Sequence, residues 1–223
     1  MKNTFYFLLI AILFVACQKD EEDQFNGDSG KFTDTRDNQT YNWVRIGDQI
    51  WMAENLTYLP SVSPSNQGSG TAPYYYVYGY QGTDVAAAKQ NANYTTYGVL
   101  YNWPAAKSAC PPGWHLPTGD EWTALTIFLG GSSVAGGKMK EAGTAHWLSP
   151  NSGATNESEF SAFPGGYRYS DGFANIGLNG GWWSATEYDS DSAWRQGVHY
   201  YVTKVDRNPY YKQVGFSVRC VRD

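Results

Sequence analysis

Apolar and polar positions alternate along much of this chain. In "YNWVRIGDQIWMAENL", residues 41–56, two aromatic and β-branched runs flank Gly47-Asp48. Alternation predicts strands, and a two-residue Gly-Asp step predicts a hairpin turn. Residues 60–73, "PSVSPSNQGSGTAP", read as a loop. "YYYVYGY", 74–80, places Tyr74, Tyr76, Tyr78 and Tyr80 on one face of a strand. Asp84 is positioned to cap a short helix through "VAAAKQ", and Pro104 to open another after Trp103.

The period then changes to that of a helix. Thr118 and Glu121 form a T-x-x-E capping box, in which each residue satisfies a free backbone N–H of the other. Trp122, Leu125, Phe128 and Leu129 follow at helical spacing, and Gly130-Gly131 ends the run. Alternation returns in the last third. Trp194, Val198, Tyr200 and Val202 share a face, "DRNP" at 206–209 reads as a turn, and Phe216, Val218 and Cys220 share an inward face.

The start of the chain has a different pattern. Lys2 precedes the apolar run Phe5–Ala16, shorter than the ~20 residues that span a bilayer. A basic start, a short apolar run and a small residue before Cys17 read as a lipoprotein signal peptide over 1–16. "FVAC" carries Phe14 where such signals usually have leucine. Lipidation is expected on Cys17, followed by an acidic tether over 17–31 and a folded domain over 32–223. The tether's "QKDEED" resembles the export signal of surface-displayed lipoproteins in Bacteroidota. The expected location is the outer membrane, lipid-anchored and facing outward.

Composition narrows the function classes. Lys and Arg number 16 against 21 Asp and Glu, with no basic cluster, so nucleic acid is excluded as a partner. Cys110 and Cys220 remain once Cys17 is lipidated. They are either a single disulfide, which export to an oxidising compartment favours, or two buried thiols.

Three blocks carry a family likeness: "VRIGDQIWMAENL" (44–56), "YGVLYNWPAAKSACPPGWHLPTGDEW" (97–122) and the region from "FPGGYRYSDGF" to "VGFSVRCVRD" (163–223). In that order they resemble the Fibrobacter succinogenes major paralogous domain family. The order of "WPAAKSAC", "GWHLPTGDEW" and "FSVRC" is also similar to a C-type-lectin-like α+β fold. Such a fold would have mostly antiparallel strands, two or three short helices and long loops, and the resemblance pairs Cys110 with Cys220. The calcium motifs of such lectins, Glu-Pro-Asn and Trp-Asn-Asp, do not occur. "HLPTGDEW" and "GFSVRC" resemble motifs of the formylglycine-generating enzymes, but the redox-active cysteine pair that chemistry needs is missing.

No catalytic set is therefore expected, no cofactor and no metal site. His115, His146 and His199 lack ligand spacing, and Asp189 and Asp191 fit a polar turn better than a calcium loop. The expected function is binding or adhesion, to a glycan or a surface protein. The alternatives are an enzyme of the formylglycine-generating kind and a structural subunit of a surface complex. Candidate ligand contacts are Trp183, Glu187, Tyr188, Asp189, Asp191 and Trp194. Aromatic rings stack on sugar faces and carboxylates accept from hydroxyls. Core packing is the stronger expectation for Trp183 and Trp194.

Overall fold

The computed structural model describes residues 25–223. Strands β1 (Ser29–Asp34), β2 (Gln39–Ile46) and β3 (Gln49–Met52) form an antiparallel meander. The Gly47-Asp48 step closes β2 onto β3 with Ile46 opposite Gln49. Gly47 sits at φ +61°, a conformation glycine adopts without steric cost. β4 (Tyr75–Tyr76) pairs with β5 (Leu100–Tyr101). Between them lie α1 (Val85–Lys89), capped by Asp84, and α2 (Ala92–Tyr97), capped by Asn91. Asn102 caps α3 (Trp103–Ala106), which carries Pro104 in its first turn.

After β6 (Trp114–His115), Thr118 and Glu121 form the expected capping box of α4 (Gly119–Phe128). A short α5 (Ala135–Met139) follows. β7 (Gly165–Tyr169) and β8 (Gly172–Ile176) make a hairpin. β9 (Asn179–Glu187), β10 (Ser192–His199) and β11 (Val205–Tyr211) make a three-stranded antiparallel sheet with β11 at one edge. Finally, β12 (Val221–Arg222) enters the first sheet between β3 and β6. The architecture is thus mostly antiparallel sheet with short helices. One disulfide joins Cys110 to Cys220.

Two apolar clusters hold these layers. Side chains on a strand alternate between faces, so adjacent residues of one strand serve both clusters. Trp43 and Trp183 enter the first cluster, with Phe32, Trp103 and Phe216. Their neighbours Val44 and Trp182 enter the second, with Trp51, Trp122 and Trp147. Most of the buried indole N–H groups find a carbonyl, as buried tryptophan requires. Trp103 donates to Ser184 O, Trp147 to Ala162 O and Trp183 to Tyr101 O, each within 2.9 Å.

Long loops bring unpaired carbonyls into the interior, and buried groups of this kind must be satisfied. Buried cations do so. Lys140 is fully buried, and its Nζ donates to Ser152 O, His199 O and Val202 O at 3.0 Å each. Arg168 donates to Ser65 O at 2.7 Å and Gln213 O at 2.8 Å. Arg219 donates to Met52 O, Phe160 O and Ser161 O, and to Asn55 Oδ1.

Several expectations are corrected. The tyrosine-rich stretch is a strand only at Tyr75–Tyr76, because the chain turns at Tyr78-Gly79, with Gly79 at φ +79°. Phe128 is exposed, and the buried stripe of α4 runs through Trp122, Leu125 and Thr126 to the capping Leu129. At about 100° per residue, position 128 falls outside that stripe. Asp206–Pro209 is part of β11 rather than a turn, and Pro209 is tolerated there because β11 is an edge strand. Val214–Val221 is buried on both faces, so Ser217 and Arg219 are interior along with Phe216, Val218 and Cys220. This segment bridges to Tyr101, Arg168 and Trp182 from different sheets, which removes any solvent face. The folded domain also reaches back before residue 32. Phe25 packs against Trp43 and Trp114, and β1 starts at Ser29. Cys17 and the signal peptide lie outside the described residues.

Candidate functional site

The turn between β9 and β10 carries Tyr188, Asp189 and Asp191 of the expected contact residues, with Glu187 at the end of β9 beside it. Asp189 organises it. Its carboxylate accepts from the amides of Asp191 (2.9 Å) and Ser192 (2.7 Å). Those amides, the first above all, hold its pKa below the usual carboxylate range. Asp189 is therefore committed to its own loop, in the manner of an Asx turn rather than a calcium ligand. Glu187 accepts from Lys212 Nζ at 2.9 Å, and the same ammonium reaches Ser190 O at 2.7 Å. Asp191 is exposed, and its carboxylate has no hydrogen-bond or ion-pair partner among the described residues.

The tryptophans separate. Trp183 is fully buried, with its ring edge-on to Phe216 at 5.0 Å, and is removed from the contact set. Its place near the middle of β9 points it into the first core cluster. Trp194 is half-buried on the other side of the sheet. Tyr188, 55% exposed, packs edge-on against it at 5.0 Å, and the Arg207 guanidinium covers it at 4.4 Å. Strand register sets Trp194 opposite Pro209 and Ser192 opposite Tyr211. Residues two apart share a face. Trp194, Pro209 and Tyr211 therefore lie on one outward side of the β10–β11 ladder, and Tyr211 is 55% exposed.

At the open end of this ladder lies a groove of about 580 Å³. Tyr169, Tyr210 and Tyr211 line it with Pro209, Asp189, Asp191 and Ser192. Tyrosines, a proline ring and carboxylates line its walls, and no Lys, Arg or His among the described residues does. Residues 44–222, which include the whole of this groove, match the family model described as the Fibrobacter succinogenes major domain. The chain belongs to that family. No curated protein and no solved structure matches it.

In this Fibrobacter succinogenes major domain, sequence reading located the loop and overlooked the opposite wall. Pro209, Tyr210 and Tyr211 were hidden because Asp, Asn and Pro together suggest a turn. The signal was the run "PYY", whose aromatics suit an edge strand. Tyr169 had no local signal, since the β7–β8 hairpin brings it to the groove from a distant part of the chain.

Two other ionic clusters stand elsewhere on the domain. Asp206 accepts from Arg195 Nη1 at 2.9 Å and meets His199 Nε2 at 3.2 Å, while Asn179 Oδ1 meets His199 Nδ1 at 2.8 Å. Burial opposes ionisation of Asp206, but His199 and Arg195 together bring its pKa down to about 2. Both ring nitrogens of His199 are thus occupied. His115 lies between Glu121 and Asp223, tying the last residue to the start of α4. Among the described residues, no three His, Cys, Asp or Glu side chains converge on a metal position.

Proposed function

We propose that this domain is a non-catalytic glycan-binding module whose site is the groove at the open end of the β10–β11 ladder. The observation that carries the reading is the set of partly exposed rings around Asp191, a carboxylate without a partner among the described residues. Tyr169 and Tyr211 offer rings to a sugar, beside Tyr210, which packs on Phe216, and Asp191 offers acceptors for hydroxyls. The ionic clusters favour a structural role over catalysis. In each of them both imidazole nitrogens are taken, so neither His115 nor His199 is a free base.

The fold is read here as C-type-lectin-like. Support comes from the antiparallel sheets and from a disulfide linking the segment after α3 to the last extended segment. The place of action is read as the outer membrane surface, with a lipid on Cys17. The lipobox-like leader and the acidic "QKDEED" support this, and a disulfide suits an oxidising compartment. A second reading, docking to a surface protein, rests on Ile127 and Phe128, 68% and 64% exposed at the end of α4.

The deciding experiment is a glycan array probed with the purified protein and with a Tyr169→Ala, Tyr211→Ala variant of unchanged melting temperature. Loss of one to two stacked rings should weaken binding roughly tenfold or more. An array without a single bound glycan, or undiminished binding by the variant, overturns the reading. A Phe128→Ala change that alone abolished capture of a surface protein would favour the second.

A further inference from the structure

The groove has an uneven charge. Asp189 and Asp191 both line it, and no cationic side chain among the described residues does. The nearest ammonium, on Lys212, is committed to Glu187 and Ser190 O and lies over the Trp103 ring at 5.0 Å. Lys212 is only 6% exposed, so it stands behind the loop and does not face the groove. The Arg207 guanidinium is stacked on Trp194. Asp189 spends its acceptor capacity on two amides of its own turn, whereas Asp191 has no such partner among the described residues. Three tyrosines line the same space, and tyrosine faces attract cations. An anionic sugar would meet negative charge that Lys212, behind the loop, offsets only in part. A neutral sugar would leave Asp191 to its hydroxyls alone. A sugar ammonium would meet both a carboxylate and aromatic faces.

We propose that the groove selects saccharides carrying free amines, of the glucosamine type, over their N-acetylated and acidic counterparts. This rests on the glycan-binding reading of the same site. Asp191 is the selectivity residue: it accepts from the ammonium, while Tyr169 and Tyr211 contact the ring whatever its charge.

The test is calorimetric titration of the protein with three probes in mildly acidic buffer, where sugar amines are protonated. The probes are a glucosamine hexamer, an N-acetylglucosamine hexamer and a galacturonate hexamer. One close charge pair near a protein surface should favour the glucosamine hexamer roughly tenfold over the N-acetylated one at low salt. The galacturonate hexamer should bind weakest. At about 0.5 M salt the preference should shrink, because screening acts on exposed charges. Asp191→Asn should remove the preference for the glucosamine hexamer over the N-acetylated one, whatever it does to their common affinity. If the N-acetylated or galacturonate hexamer binds as well as the glucosamine hexamer, the selectivity is refuted and the glycan site stands. If none of the three binds, the selectivity is refuted, and the glycan array decides separately whether the glycan site stands.

Discussion

Replacing Lys140 with methionine tests whether buried cations hold this loop-rich domain together. The substitution keeps most of the side-chain length and removes only the ammonium. Three carbonyls lose their donor at once: Ser152 O, His199 O and Val202 O, each 3.0 Å from Nζ. Ser152 lies in the loop before β7, while His199 and Val202 bracket the turn between β10 and β11. A buried unsatisfied group costs about 1–3 kcal/mol, and relaxation recovers part of that. The three partners are neutral carbonyls, so no charge is stranded, and a net loss of about 2–3 kcal/mol is expected. At roughly 2–4 °C per kcal/mol for a chain of this size, melting should fall by about 4–12 °C. The assay is urea and thermal unfolding of both proteins with the disulfide intact. Lys107→Met is the control: Lys107 is exposed over the Trp103 ring, and its loss should cost less than about 1 kcal/mol.

The pH dependence gives a second readout of the same residue. Burial lowers the Lys140 pKa to about 8 from 10.5. Between those values the unfolded chain binds the proton more tightly than the folded one, so stability rises with pH. The difference in stability between wild type and Lys140→Met should therefore widen as pH rises from about 8. A loss below about 1 kcal/mol, or a difference independent of pH, would refute the account.

Two further outcomes follow from the covalent and ionic ties. A Cys110→Ser, Cys220→Ser variant opens a loop of 110 residues and should lose about 4–5 kcal/mol by urea unfolding; an unchanged midpoint would show that the bridge adds nothing. Burial alone would lower the His115 pKa, but its hydrogen bonds to Glu121 and Asp223 outweigh that and raise it above 6.5. Its contribution is then fully present below pH 6.5 and lost as pH rises through the folded value. In His115→Gln that fall should vanish from a series of unfolding curves, and an identical profile in both proteins would exclude the tie.

Local chemistry was legible wherever a short stretch closes its own hydrogen bonds. The Gly47-Asp48 hairpin, the Asp84 cap and the Thr118–Glu121 box each depend on residues within a few positions, so spacing alone determined them. The membership in the Fibrobacter succinogenes major domain family was legible for a related reason, since its motifs lie in separate short blocks in a fixed order. What the sequence could not determine is which faces meet. Alternation in "VGFSVRCV" implies one inward face, but three sheets close around that segment and bury both. "DRNP" has the composition of a turn, yet pairing with β10 makes it an edge strand. Adjacent Trp182 and Trp183 are equivalent in sequence and belong to different cores. The groove itself joins Tyr169, the Asp189–Asp191 turn and Tyr210–Tyr211, three segments without any local signal of proximity. Tertiary packing decided their meeting, because burial is a property of neighbours in space and period-two alternation reports only which residues share a side.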